Sequence, residues 1–213
     1  MTNVVEIYKQ AIASLDDPIL TRIYKSSDID FCEKMRCYLE RAIPLFTIPL
    51  DVQYKLGSYK ASEMLLKEFT GDGVTKDFEL PNPFGDKEML VEGYVDGQKQ
   101  EGSYDESKGA FSFVMPPMLD SNIIIKQYQP GYFSSKLTTQ EVAILSLLTV
   151  SCWAEKEENF LLDIRRLLTT SNFKLNDSSN VLRSKINWHY TMYEKANKLM
   201  NSYSWSRCFG GGR

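Results

Sequence analysis

Residues 69–128 read as strand and turn, and the sequence on both sides of them reads as helix. The block opens with Gly71-Asp-Gly73, where glycine supplies the positive φ of a tight turn at no steric cost. Phe78 and Leu80 then alternate with Asp77 and Glu79, the period of a strand with one buried face. Pro81 and Pro83 end that strand. Residues 90–95 form the next one, Asp96-Gly97 is the dipeptide favoured by two-residue hairpin turns, and 98–104 return antiparallel. Lys108-Gly109 turns into 111–115, Pro116-Pro117 breaks the run, and 122–128 supply the last strand. About five short strands in roughly sixty residues suit a small sandwich or barrel-like module.

The flanks carry helical spacing. Val4, Ile7, Tyr8, Ile12 and Leu15 share one side of a first helix, and Pro18 stops it. A short helix follows near 19–24. Ser27 opens another, with Phe31, Met35, Tyr38 and Leu39 on its apolar side. Pro44 and Pro49 bracket an extended or kinked connection, and 51–57 look turn-rich. Residues 61–69 fit either a last helical turn or a first strand. Thr138-Thr-Gln-Glu141 is a capping box, in which Thr138 and Glu141 satisfy each other's end groups. Val142 to Trp153 is apolar nearly all round, which predicts burial on several sides. The polar run 155–159 suggests a kink, and a final helix spans about 180–203. The expected fold class is α+β: a mainly helical body (1–68 and 132–203), an inserted small antiparallel β module (69–131) and an extended C-terminal tail (204–213).

With 43% apolar and 12% aromatic residues the chain can build a buried core. No run approaches the ~18 apolar residues of a membrane span, and the N-terminus lacks the layout of a signal peptide. No membrane partner and no secretion by that route are expected. Cys32, Cys37, Cys152 and Cys208 contain no C-x-x-C pair, so reduced thiols are expected. Residues 69–133 hold five Lys/Arg against eleven Asp/Glu, whereas 183–213 hold six against one. That asymmetry fits either polar self-assembly or two differently solvated faces.

No catalytic constellation is legible, and no enzyme activity, cofactor or metal site is expected. Gly71-x-Gly73 lacks the third glycine of a dinucleotide fingerprint and opens no helix. His189, the one histidine, lies mid-helix between Trp188 and Tyr190, where a packed or surface role is expected. Acidic pairs such as Glu157-Glu158 are sequence neighbours whose side chains diverge. The functional candidate is the tail, with Trp205, Arg207, Phe209 and Arg213. Tryptophan and arginine are favoured interface anchors, and the segment ends in flexible glycine. Either Trp205 packs back on its own domain, or the tail orders in a neighbour's groove.

The pattern from Gly71-Asp-Gly73 and Phe78-Glu-Leu-Pro81 through Val95-Asp-Gly97, Phe111-Ser-Phe113 and Ile123-Ile-Ile125 to Tyr128 resembles a small β module of tailed-bacteriophage virion proteins. It departs from the usual form at Pro116-Pro-Met-Leu-Asp120, where a glycine turn is expected. Together with the flanking helices, the chain resembles the head-to-tail connector (adaptor or head-completion) proteins. The resemblance implies a non-enzymatic virion protein of the neck, made in the host cytoplasm. It implies a homo-oligomeric ring, usually of twelve copies, beneath the portal protein, retaining and passing the genome. It also implies that Trp205, Arg207, Phe209 and Arg213 dock to the portal or a neighbouring subunit, and that the β module faces a further neck, tail or fibre protein. A basic C-terminal third lining the channel would touch passing DNA through phosphates alone. The alternative is a tail-side, fibre-attachment or baseplate protein that binds through the β module.

Overall fold

Helix caps fix the start of the chain in a computed structural model. The structure describes residues 1–15, 17–82, 84, 85, 88–169 and 178–209; the side chains of 19, 161, 163–169, 178–185, 208 and 209 lie outside that description. Strand β1 (Thr2–Asn3) leads into α1 (Val4–Ala13), where Asn3 Oδ1 accepts the Val5 N–H at 3.0 Å. In α2 (Pro18–Ser26) proline takes the first position, where its missing N–H costs nothing, and Asp17 accepts from Leu20 N–H at 2.9 Å. Ser27 caps α3 (Asp28–Ala42) through Asp30 N–H at 2.9 Å. A 3-10 turn (Ile43–Leu45) and α4 (Leu50–Leu56) follow. The short β2 (Tyr59–Lys60) precedes the module strands β3 (Glu63–Thr70), β4 (Asp77–Glu79), β5 (Leu90–Val95), β6 (Gln98–Gln100), β7 (Gly102–Asp105), β8 (Ala110–Phe113) and β9 (Asn122–Gln129). Strand β10 (Tyr132–Phe133) returns to the body, and the long helices α5 (Thr139–Thr169) and α6 (Ser178–Phe209) finish the described chain.

Helix α5 is the axis of the body. It packs against α1, α3 and α6. Val142, Ile144, Leu145, Leu148, Val150, Cys152, Trp153 and Ala154 are all buried, which accounts for its lack of a polar side. Trp153 meets Trp188 of α6 edge to face, with ring centroids 5.6 Å apart. A small sheet, β1-β10-β2, closes the body where the module begins and ends.

The module contains two antiparallel sheets, β3-β9-β5-β6 and β4-β8-β7. They enclose Phe78, Leu80, Phe111, Phe113, Ile123 and Ile125. The central strands β5 and β9 of the first sheet are covered on both faces, while β3 and β6 are largely exposed, and strand parity divides the two faces. Val91, Gly93, Val95, Ile123 and Ile125 face the small core, while Leu90, Glu92, Tyr94 and Tyr128 face the helical body. Gly93 is required for the packing: a Cβ there would lie 2.6 Å from the rings of Phe111 and Phe113. Asp96 and Gly97 both have positive φ, as the hairpin turn between β5 and β6 requires.

One open reading is decided and four expectations change. Of the two readings of residues 61–69 the strand holds, because 63–70 pair along the whole of β9. The strand expected over 98–104 is split at Glu101, with β6 paired to β5 and β7 paired to β8 in the other sheet. The stretch read as turn-rich contains α4, whose Val52 and Leu56 sit four apart and are both buried. The polar run 155–159 lies inside the unbroken α5; it faces α3, with Glu155 bound to Arg41 at 2.7 Å and Lys156 over the Tyr38 ring. Finally, the tail is not extended over residues 204–209. It continues α6, held by Ser206 Oγ donating to Tyr203 O at 2.8 Å and by ion pairs of Arg207. Residues 210–213 lie outside the described part.

Candidate functional site

The end of α6 is locked to the body by one carboxylate. Glu141, fully buried in the first turn of α5, accepts the Thr138 N–H at 2.7 Å, which is the expected capping box. The same carboxylate accepts Lys55 Nζ from α4 at 2.8 Å and Tyr203 Oη from α6 at 2.9 Å. Arg207 lies 3.8 Å from Glu141 and 2.6 Å from Asp51, and donates to Tyr203 Oη at 3.3 Å. Burial pushes the Glu141 carboxyl up. The bonds from Lys55, Thr138 and Tyr203, and the Lys55 charge, outweigh it and hold the group below its usual range. Glu141 therefore stays ionised and ties α4, α5 and α6 together.

Of the four expected docking residues, the geometry separates the two whose side chains are described. Trp205 turns outward and is 66% exposed. Arg207 turns inward to Asp51 and Glu141, so it positions the helix end instead of reaching for a partner. The side chain of Phe209, and Arg213 altogether, lie outside the described residues. A shallow cavity of about 160 Å³ runs between α5 and α6, lined by Ile144, Leu199, Tyr203 and Ser206 among others.

A second buried carboxylate fixes the module to the body. Glu92 of β5 accepts Ser27 Oγ at 2.8 Å and Asp28 N–H at 2.9 Å, at the N-terminus of α3. It also accepts Tyr94 Oη and Lys99 Nζ, each at 2.8 Å. Lys99 donates in turn to Ser26 O, the last carbonyl of α2. Burial raises the Glu92 carboxyl, but Lys99, Ser27 and Tyr94 outweigh it and lower it overall. Lys126 adds a contact to Asp30 at 3.6 Å. The negative charge sits at the positive end of the α3 dipole, where it is favoured.

Sequence reasoning missed both roles. Glu141 was legible as a cap, but Lys55 and Tyr203 are far from it in sequence. Glu92 interrupts the apolar strand Val91-Glu-Gly-Tyr-Val95, and strand parity alone places it on the body side. His189 is half-buried, and its Nδ1 donates to Ser151 O at 2.9 Å; a carbonyl only accepts. That nitrogen is thus unable to take a proton from Ser151 Oγ, 3.4 Å away, and the pair is not arranged as a nucleophile and its base. Among the described residues no cluster has a metal-ligating arrangement, and no helix is long and apolar enough to cross a membrane. Comparisons with protein-family models, curated proteins and solved structures returned no match to this chain.

Proposed function

We propose that the chain is a structural virion protein of a tailed phage, forming an adaptor ring between portal and tail through the end of α6. The observation that carries this reading is the presentation of Trp205. An exposed tryptophan stands on a helix end that Glu141, Asp51 and Arg207 hold still. Aromatic anchors bind best when their ordering cost has been met before association. The likeness of residues 71–128 to phage virion modules supports the same reading, as does the Glu92 link, which suits a subunit that must keep a fixed shape.

The test is addition of the purified chain to portal-bearing heads that lack it. Wild-type chain is expected to restore tail joining, and Trp205→Ala to lose it while melting normally. Truncation before Ser204 is a poorer test, because it also removes Arg207 and uncovers Glu141. Restoration by Trp205→Ala would reject the role of the helix end. The second reading is a tail-side or fibre-attachment protein. It is favoured by the apolar end of the β module, where Met115 and Met118 are exposed. It predicts that Met118→Glu abolishes fibre attachment and leaves head binding intact.

A further inference from the structure

The end of the β module distant from the body is apolar where water should meet it. Val74, Val114, Met115, Met118 and Leu119 are 68–81% exposed. The loops that carry them are built, not loose. Asp120 N–H donates to Gly71 O at 2.8 Å, Gly71 N–H to Ser121 O at 2.9 Å, and Val114 N–H to Glu101 O at 3.1 Å. Pro117 is buried beneath them. A cleft of about 420 Å³ opens there, walled by Val95, Phe113, Met115, Pro116 and Met118. Its surroundings are acidic: Asp72, Asp96, Glu101 and Asp120 are exposed, against Lys76. Lys99 is already bound to Glu92.

The opposite character appears on α6. Tyr190, Glu194, Lys198, Asn201 and Trp205 follow at helical spacing along one exposed line, and Lys195 flanks it. Lys195 and Lys198 are exposed there against Glu194, while Arg207 is already bound to Asp51 and Glu141. Both surfaces are exposed in the same chain, so neither covers the other. Two acidic tips repel, whereas Lys195 and Lys198 of α6 are attracted to one. The complementary pairing joins different patches on two copies, which is a head-to-tail contact that closes into a ring when the rotation permits.

We infer that the cleft at the module tip of one copy receives Trp205 of the next copy, with Lys198 of that helix against the acidic rim. Methionine sulfur packs favourably on aromatic rings, and Met115 and Met118 flank the cleft. The inference deepens the ring reading and rests on it for closure; the pairwise contact has its own test. Two full-length variants are made in a Cys37→Ser, Cys208→Ser background, one carrying Met118→Cys and the other Asn201→Cys. Mixed under mild oxidant, they are expected to form a disulfide-linked heterodimer, and neither to cross-link alone. Trp205→Ala in the second variant is expected to cut the yield at least about tenfold, as loss of an aromatic hot spot does. Absence of the heterodimer, or homodimers of either variant, overturns the contact. Rings on portal-bearing heads without the cross-link would sink the contact and keep the neck assignment. The cross-link without head binding would do the reverse.

Discussion

At the scale of single residues, the fold depends on two buried carboxylates that remain charged. Glu92 and Glu141 both titrate below the ordinary 4.5 of a glutamate in the folded chain. A group depressed on folding contributes stability above its unfolded value and loses that contribution as pH falls through the lower folded value. Urea melts are therefore expected to show stability falling below about pH 4.5, and the Glu92→Gln, Glu141→Gln double variant to flatten that fall. An unchanged slope would contradict the assignment. At neutral pH, Glu141→Gln alone is expected to cost on the order of 2 kcal/mol. That is less than a fully buried pair, because Lys55 and Arg207 keep partial access to water. The thiols give an independent check on the core. Burial pushes Cys32 up to about 12 and Cys152 to about 11, whereas Cys37 is exposed. In a Cys208→Ser background, one thiol is expected to react quickly with a disulfide reagent and two only on unfolding.

At the scale of elements, each surface is set by a local rule plus one long-range contact. The module tip depends on Gly71: a Cβ there would collide with Met118 O and Ser121 Oγ. Gly71→Ala is expected to disorder the tip and lower cross-linking, with the β-sheet circular dichroism retained. Gly93→Ala, which forces a methyl group against Phe111 and Phe113, is expected to cost about 1–3 kcal/mol in a denaturant melt. Periodicity revealed the elements whose rules are local: α1, α3, the Thr138 cap, and the Asp96-Gly97 hairpin with the strand before it; it missed that the strand after it divides between two sheets. It stayed undecided or failed where a distant partner decides. Residues 63–70 became strand because β9 lies beside them along its full length. Residues 204–209 continued as helix because Arg207 finds Asp51 and Glu141. The candidate docking residues were legible by type only. Trp205 and Arg207 are two apart, which on a helix turns them to different sides, and only the helical continuation reveals that.

At the scale of the whole molecule, a helical body built around α5 holds a β module in one orientation through Glu92, and presents the end of α6 through Glu141. The acidic module tip and the Trp205 face of α6, with Lys195 and Lys198, are unlike surfaces, and the proposed contact between them is head-to-tail. Disrupting either carboxylate node should therefore damage assembly more than it damages folding. Glu92→Gln is expected to leave the helical circular dichroism intact while broadening the particles seen by light scattering. The most direct measurement is single-particle imaging of the full chain, alone and on portal-bearing heads. A closed ring of one subunit layer on the portal, lost with Trp205→Ala, is the predicted result. A monomer that ignores the portal at every concentration, with wild-type and variant indistinguishable, would contradict the adaptor assignment.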